Sequence, residues 1–149
     1  MNVNKIVVNE IPSEIEFSGA TLLSADEAST LLTEQEKKYK APWWLRTPGF
    51  NSYNACNIYY GSVDIFGSNV DYYCCIRPAL QISNLGSFNV GDIFSIGEHY
   101  FKIISPELAW LYKQDIGEDH FDYESNNYET SHVKEIVDSW FEKLKDETI

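Results

Sequence analysis

Two adjacent tryptophans, Trp43 and Trp44, constrain the fold of this chain more than any other feature of its sequence. They open the run Trp-Trp-Leu-Arg-Thr-Pro-Gly, in which residues 47–49 predict a turn, so residues 43–46 are expected to form a strand. Neighbouring side chains of a strand point to opposite faces of its sheet. We therefore expect one indole to pack in a core and the other to be exposed or to lie under a loop.

Each of two apolar segments carries one arginine: Arg46 follows the tryptophans, and Arg77 precedes Pro78 in the run Cys-Ile-Arg-Pro-Ala-Leu at 75–80. A guanidinium has five donors in a fixed plane and can hold several loop carbonyls together. Proline lacks a backbone donor, so Pro78 predicts a strand end, a bulge or an edge. We interpret these three residues and the two tryptophans as a structural signature. The alternative is that the arginines clamp an anionic ligand.

The chain is acidic, with a net charge of −12 over 149 residues. Nucleic acids and anionic membranes are both bound through clustered lysines and arginines, so direct binding to either is not expected. Residues 1–9 have only a short apolar patch and predict neither a signal peptide nor a membrane span. These features favour a cytoplasmic protein. The acidic charge is compatible with a basic protein partner, but plain solubility is the commoner reason for such a charge.

No catalytic motif stands out in the sequence. The three cysteines, Cys56, Cys74 and Cys75, do not have metal-ligand spacing, and we expect them to be reduced and buried. The histidines are scattered, and no nucleophile elbow, phosphate-binding glycine loop or paired-carboxylate motif is present. We therefore predict no enzyme activity, no catalytic residue, no metal and no cofactor.

Hydrophobic periodicity and capping residues predict two helices. Ser24 with Glu27 has the spacing of a capping box and predicts a helix that continues to about residue 38. A second helix, capped by Thr130 or Ser131, is predicted from an apolar stripe. The stripe consists of Val133, Ile136, Val137, Trp140, Phe141 and Leu144.

Strands are predicted over most of the remaining chain. The candidates are residues 6–8, 15–17, 43–46, 53–60, 63–65, 70–82, 92–96, 100–104 and 108–112, with a turn at 66–69. A polar stretch beginning at Ser83 favours a division into a core module at 1–82, a linker at 83–91, and a second module at 92–149 that contains a small β-meander, an acidic loop and the last helix.

The order helix, Trp-Trp-Leu-Arg-Thr-Pro-Gly, strands, then Ile-Arg-Pro-Ala-Leu resembles a bacterial and phage family of uncharacterised domains with the pattern WWLRSPG followed by (V/I)RPAL. The resemblance covers residues 22–82. It implies a distant similarity to the C-type-lectin-like fold of formylglycine-generating enzymes and of the variable proteins of diversity-generating retroelements. The expected fold is therefore α+β, a C-type-lectin-like scaffold of short twisted antiparallel strands with two helices.

The second module also resembles this family, but in a different order. Residues 128–134 resemble the start of a family helix that usually precedes the Trp-Trp-Leu-Arg segment, whereas here they follow it. The modules are rearranged, so the second could pack on its own first module or on that of another chain. The latter arrangement would be a domain-swapped homodimer.

A stretch rich in tyrosine and asparagine is the candidate binding surface. Its residues are Asn51, Tyr53, Asn54, Asn57, Tyr59, Phe66 and Asn69. Antibody paratopes have this composition, because rigid aromatic rings supply contact area and amides supply adaptable hydrogen bonds. Ordinary covering of a sheet is the alternative. The neighbouring pairs Tyr59-Tyr60 and Tyr72-Tyr73 are expected to divide between two faces as the tryptophans do.

A second candidate surface is acidic, because residues 115–130 contain no lysine or arginine. Its residues are Asp115, Glu118, Asp119, Asp122 and Glu124. The segment lacks the spacing of a calcium loop, and a solvated charged loop is the simplest interpretation.

The leading hypothesis is a non-catalytic protein-recognition module of bacterial or phage origin. One alternative is an acidic phage-encoded inhibitor that blocks a nucleic-acid-binding host protein by charge mimicry. Another is a remnant of a formylglycine-generating-type oxidase, although no cysteine of this chain lies in a recognisable version of that enzyme's cysteine and metal site.

Overall fold

The computed structural model describes residues 15–146, so the strand predicted at 6–8 lies outside the described residues. Within them the chain is a mixed α and β structure with ten strands, mostly antiparallel, and three α-helices. The strands are β1 Glu16–Thr21, β2 Trp43–Pro48, β3 Asn54–Tyr59, β4 Ser62–Asn69, β5 Tyr73–Cys75, β6 Ala79–Asn84, β7 Ile93–Ile96, β8 His99–Ser105, β9 Leu108–Leu111 and β10 Glu118–His120. The helices are α1 Ala25–Leu31, α2 Glu34–Lys37 and α3 His132–Asp146, with a 3-10 turn at Tyr128–Thr130.

The strands form two five-stranded sheets. The first has the order β1-β6-β9-β8-β7 and the second the order β10-β5-β2-β3-β4. All pairings are antiparallel except that of β2 with β5, where Trp43 pairs with Cys75. The first sheet takes strands from both sides of residues 83–91, so the two predicted modules share a sheet within one chain. The division of the chain into these modules stays a prediction.

The capping box at the start of α1 is confirmed, but the single long helix is wrong. The Glu27 amide donates to Ser24 Oγ at 3.0 Å, and the Ser24 amide donates to Glu27 Oε1 at 2.9 Å. Leu32 then adopts an extended conformation, and a second capping box, between Thr33 and Glu36, starts α2. Three helices therefore replace the two expected, because the second capping box restarts the helical hydrogen bonding at a new axis.

Two strand boundaries also differ from those predicted. The turn expected at 66–69 lies inside β4, which continues past a register shift in β3 between Ala55 and Asn57. The extended segment expected at 70–82 is divided into β5 and β6. Pro78 stands immediately before β6, so the strand end that its missing donor predicts is confirmed.

Both tryptophans are fully buried, so the expectation that one would be exposed or covered only by a loop is wrong. Trp44 lies in one hydrophobic cluster and packs edge-on against Phe121, with ring centroids 5.5 Å apart. Trp43 lies in the other and packs against Trp110, with centroids 5.8 Å apart. The second sheet carries a core on each face, and the alternation of side chains assigns one indole to each.

The tyrosine pairs behave in the opposite way, because Tyr59, Tyr60, Tyr72 and Tyr73 are all exposed. The division of these pairs between an inner and an outer face is therefore wrong. Tyr59 is the last residue of β3 and Tyr73 the first of β5, while Tyr60 and Tyr72 lie in the adjoining turns.

The C-terminal part of the chain follows its sequence pattern closely. The β7-β8-β9 meander is confirmed. Helix α3 buries four of the six residues of the predicted stripe, Val133, Val137, Phe141 and Leu144, and the other two, Ile136 and Trp140, are partly buried. Ser131 is the cap, since its Oγ accepts from the Lys134 amide at 3.1 Å. Among residues 15–146, no helix has both the length and the apolar character that a membrane crossing requires.

Candidate recognition surface

The turn between β2 and β3 is closed by one backbone hydrogen bond and fastened to β4 by another. The Gly49 amide donates to the Asn54 carbonyl at 2.7 Å, and the Phe50 amide donates to the Phe66 carbonyl at 2.9 Å. A Cβ on Gly49 would lie 2.5 Å from the Phe66 carbonyl oxygen, so only glycine permits this approach. Phe50 and Phe66 are thereby placed side by side, with ring centroids 5.6 Å apart.

Four large apolar side chains of this turn and of β4 are exposed, and we call the three aromatic ones, Phe50, Tyr53 and Phe66, the aromatic patch. The exposed fractions of the four are 75% for Phe50, 55% for Tyr53, 66% for Ile65 and 65% for Phe66. The sequence predicted Tyr53 and Phe66 but missed Phe50 and Ile65. A signal for Phe50 was present, because a phenylalanine between a Pro-Gly turn and the polar Asn51-Ser52 has no apolar neighbour to pack on locally.

The amides of the predicted surface hold the loop in shape. Asn54 Nδ2 donates to Asn69 Oδ1 at 2.8 Å, and Asn51 Oδ1 accepts from the Tyr53 amide at 3.2 Å. Asn126, which the sequence did not indicate, donates from Nδ2 to the carbonyls of Asn51 and Asn54 at 3.0 and 3.1 Å. These bonds fix the backbone from which the aromatic patch projects.

Two predicted binding residues lie elsewhere. Asn57 is fully buried, with Nδ2 donating to Ser68 Oγ at 2.8 Å, so its assignment to an exposed surface is wrong. The reason is that both faces of β3 are covered here, and Asn57 points into one of the two cores, beside Cys74. Tyr59 is exposed but stands at the far end of β3 from Asn54, roughly 17 Å away at the usual rise per strand residue. It packs against Tyr60 rather than against the patch.

The acidic segment is largely engaged in bonds within the chain. Asp122 accepts from the amides of Ser125 and Glu124 and from that of His132. Partial burial opposes ionisation of Asp122, but these donors lower its pKa below the ordinary value. The residue therefore acts as a brace between the segment and the start of α3.

Asp115 and Asp119 also have partners. Asp115 accepts from the Tyr39 hydroxyl and, at 2.8 Å, from the Gly117 amide, and it lies 3.7 Å from Lys40 Nζ. Asp119 Oδ1 lies 3.2 Å from His132 Nε2. Glu118 and Glu124 are exposed. Three of the five predicted acidic residues thus hold the loop together rather than form an open charged face.

The signature arginines make different contacts. Arg46 Nη1 donates to the Leu22 carbonyl at 2.6 Å and pairs with Glu27 Oε1 at 2.8 Å, which ties β2 to the start of α1. Burial raises the pKa of Glu27, yet the bond from Arg46 and the Ser24 amide outweigh it and leave the pKa lowered. Arg77 is buried, donates from Nε to the Gln114 carbonyl at 3.0 Å and packs among aromatic rings.

The cysteines are buried and form no disulfide, as expected. Burial raises the pKa of Cys74 to about 12 and that of Cys75 to about 11. Burial also raises the pKa of Cys56. Across residues 15–146, no group of three or more histidine, cysteine or carboxylate side chains is placed to hold a metal ion.

One comparison with known proteins gives a match. A family model described as a domain of unknown function (DUF6273) matches residues 12–84. The matched segment contains the aromatic patch and both signature arginines, and it ends before the acidic segment. Searches of curated proteins and of solved structures find no significant match.

Proposed function

We propose that this chain, in which a DUF6273 domain covers residues 12–84, is a non-catalytic protein-recognition module of bacterial or phage origin. The observation that carries the proposal is the exposure of Phe50 and Phe66 side by side on a fastened turn. Contiguous exposed apolar side chains rimmed by polar groups are typical of protein interaction sites. The rim here consists of Asn51, Asn54 and Asn69.

The rigidity of the turn supports this function. Binding normally costs free energy because loops and side chains lose their freedom at the interface. Here the hydrogen bonds of Asn126 and the Phe50 amide have already fixed the backbone. Aromatic side chains also have few rotatable bonds, so the aromatic patch presents contact area at a low entropic cost.

The other two hypotheses have less support. Charge mimicry needs an open acidic face. Asp115, Asp119 and Asp122 instead form hydrogen bonds or ion pairs within the chain. Oxidase chemistry needs a thiolate, and burial raises the pKa of both Cys74 and Cys75. Recognition through the aromatic patch requires neither feature.

We also propose that the scaffold is C-type-lectin-like and that the chain works in the cytoplasm. The Trp-Trp-Leu-Arg and Ile-Arg-Pro-Ala-Leu runs support the first point, together with two sheets of short, mostly antiparallel strands. The three buried, unpaired cysteines support the second, because a reducing compartment keeps thiols free. A crystal structure that does not superpose on C-type-lectin-like domains would contradict the first proposal, and detection of the chain outside the cell would contradict the second.

The test is identification of a partner by affinity capture, followed by calorimetry with that purified partner. Phe66→Ser is expected to weaken binding by about 2 kcal/mol or more, about thirtyfold, because a central aromatic contact is lost. Val90→Ser is the matched control, since Val90 is also exposed but lies in the 85–92 loop. Equal affinity of the Phe66→Ser variant and the wild type would overturn the proposal.

Salt dependence separates recognition by the aromatic patch from charge mimicry. Apolar contacts are little affected by added salt, whereas exposed charges are screened beyond about 8 Å at physiological ionic strength. We expect the affinity to change little as salt is raised. A steep loss of affinity, together with loss of binding in Glu118→Gln/Glu124→Gln, would favour charge mimicry instead.

Self-association is a further use of the same region. Within the described residues, β4 is the last strand of its sheet, so one edge of its backbone has no strand neighbour. Two chains could pair there, or exchange residues 92–149 across the 83–91 linker. Sedimentation over a range of concentrations tests both routes, and an unchanging monomer would exclude the homodimer.

A further inference from the structure

Two exposed tyrosines outside the aromatic patch, Tyr73 and Tyr123, contact the same imidazole. Tyr73 is the first residue of β5 and stands opposite His120 of β10. The Tyr73 ring centroid lies 4.6 Å from that of His120 at an interplanar angle of 79°, and the Tyr123 centroid lies 4.8 Å away at 64°. Steep angles at these distances are edge-to-face contacts. His120 therefore supports both phenol rings, and we call Tyr73 and Tyr123 the tyrosine pair.

Both rings of the tyrosine pair remain open to solvent. Tyr73 and Tyr123 are each 63% exposed, although each contacts His120. Single exposed aromatic residues are ordinary on protein surfaces, whereas neighbouring ones are typical of a surface that another molecule covers. The tyrosine pair is therefore a candidate contact surface in its own right.

Backbone hydrogen bonds join the tyrosine pair to the aromatic patch. Val70, shortly before β5, donates its amide to the Tyr53 carbonyl at 2.9 Å. Asn126, shortly after the second tyrosine of the pair, donates its amide to the Ser52 carbonyl at 3.0 Å. Both segments of the tyrosine pair are thus bonded to the turn that carries the aromatic patch. A protein that covers the aromatic patch can reach the tyrosine pair as well.

The segments that build this surface carry no permanent positive charge. Residues 47–76 and 114–133 contain no lysine or arginine. The exposed carboxylates of these segments are Asp71, Glu118, Glu124 and Glu129. Glu118 shares a face of β10 with His120, because the two are two residues apart on a strand, and Glu124 follows Tyr123 in the chain. Negative charge therefore lies beside the tyrosine pair.

A cation is the ligand that fits exposed phenol rings beside carboxylates. The face of an aromatic ring is negative because of its quadrupole, so it attracts a cation. A guanidinium is planar and weakly hydrated, so it can stack on a ring while its outer donors bond a carboxylate. A lysine ammonium is compact and strongly hydrated, and it gains less from the same ring. Charge complementarity therefore favours an arginine side chain.

We propose that the tyrosine pair binds an arginine side chain of the protein partner, with the guanidinium on a phenol ring and bonded to Glu118 or Glu124. This inference rests on the proposed recognition function and specifies the chemistry of one part of the partner. One arginine adds a single charge to a mainly apolar interface, so weak salt dependence of the whole interface is still expected.

The test is an NMR titration of the full chain with the blocked tripeptide acetyl-Gly-Arg-Gly-amide, observed at the tyrosine ring signals. We expect the Tyr73 and Tyr123 signals, assigned by their absence in Tyr73→Leu and Tyr123→Leu, to shift. The Tyr60 signal should stay in place. Tyr60 is also exposed, but it follows the end of β3 that lies away from the aromatic patch and packs against Tyr59.

Two matched peptides separate the contributions of charge and of the planar group. Citrulline in place of arginine keeps the planar shape and removes the charge, and this peptide is expected to bind about tenfold more weakly. Lysine in place of arginine keeps the charge without the planar group, and this peptide is expected to bind about threefold more weakly. Both comparisons use the wild-type chain, so neither depends on the folding of a variant.

Substitution of both tyrosines tests the rings themselves. Tyr73→Leu/Tyr123→Leu keeps apolar side chains on the surface and removes the aromatic faces, so the arginine peptide should bind about tenfold more weakly. Both residues are exposed, and the fold is expected to persist. Tyr60→Leu is the matched control and should bind the peptide as the wild type does.

The Phe66→Ser variant separates this inference from the proposed function. It alters the aromatic patch and should bind the arginine peptide as the wild type does. If the peptide does not bind, but Phe66→Ser still weakens binding of the captured partner, arginine recognition is wrong and the recognition function stands. If the peptide binds at the tyrosine pair, but Phe66→Ser leaves partner binding unchanged, the aromatic patch is wrong and the arginine site stands.

Three further results would overturn the proposal. The first is a shift of the Tyr60 signal as large as those of Tyr73 and Tyr123, which would indicate non-specific attraction to an acidic chain. The second is equal affinity for the arginine peptide and either matched peptide. The third is wild-type affinity for the arginine peptide in Tyr73→Leu/Tyr123→Leu.

Discussion

Trp43 and Trp44 are neighbours in the chain, yet they lie in two separate hydrophobic cores on opposite faces of one sheet. Each packs on an aromatic ring that comes from the second half of the chain, Trp110 for the first and Phe121 for the second. The dipeptide therefore links both cores to the segments that complete them. It stabilises the fold because both indoles are buried.

Replacing either tryptophan should destabilise the fold strongly. Trp43→Ala and Trp44→Ala are each expected to lower the free energy of unfolding by about 3–5 kcal/mol, because a large buried ring leaves a cavity. Urea denaturation measures the change, with Tyr72→Ala as a control that should stay within about 0.5 kcal/mol. A small effect of either tryptophan substitution would show that its core is not packed as described.

The Arg46–Glu27 pair should make stability depend on pH in the acid range. The pKa of Glu27 is lowered in the folded chain, so its contribution is present above the ordinary value of 4.5 and is lost as the pH falls through the lower folded value. Arg46→Met is expected to lower the free energy of unfolding by about 2 kcal/mol at neutral pH. The same change should reduce the loss of stability that occurs as the pH falls below 4.5. The stability of Arg46→Lys should lie between that of the wild type and that of Arg46→Met, because an ammonium cannot reproduce the planar donors of a guanidinium.

Urea midpoints measured between pH 3 and pH 7 test this prediction. Lys134→Met serves as the control, because its pair with Asp138 is a helical surface pair worth about 0.5 kcal/mol or less. If the urea midpoint falls as steeply at acid pH in Arg46→Met as in the wild type, the pH dependence comes from another group.

Gly67 is expected to tolerate no side chain. Its φ is +82°, and a Cβ would lie 2.2 Å from the Ala55 carbonyl oxygen. Gly67→Ala should therefore destabilise by more than about 2 kcal/mol. Gly117→Ala is the control, since Gly117 also has a positive φ, +129°, but no atom within 4 Å of the added carbon. Thermal unfolding compares them, and equal losses would attribute the whole effect to backbone strain.

The buried thiols should react slowly. Because burial raises the pKa of Cys74 to about 12, almost no thiolate exists at pH 8, and the thiolate is the reactive form. Alkylation by iodoacetamide at pH 8 is expected to be more than about a hundredfold slower in the folded chain than in urea. Mass spectrometry after timed quenching measures the rates. Rapid labelling of Cys74 or Cys75 in the folded chain would contradict their burial.

Part of the candidate surface could be read from composition alone. Tyr53 and Phe66 were predicted to be exposed, and they are, but Asn57 lies in a part of β3 that is buried on both faces, and Phe50 was missed. Composition identifies a segment that suits recognition, whereas the exposure of each residue depends on which face of the sheet is covered. That is decided by residues far away in the chain.

The sequence by itself determined the local structure of this protein. The capping box at Ser24, the apolar stripe of α3 and the β7-β8-β9 meander depend on residues within a few positions of each other, so their patterns are visible in the chain. Only the tertiary structure decided that both tryptophans are buried and that Arg77 lies among Tyr39, Trp43 and Trp110. Those contacts join segments more than 30 residues apart, and they form only when the two sheets pack together and enclose the two cores.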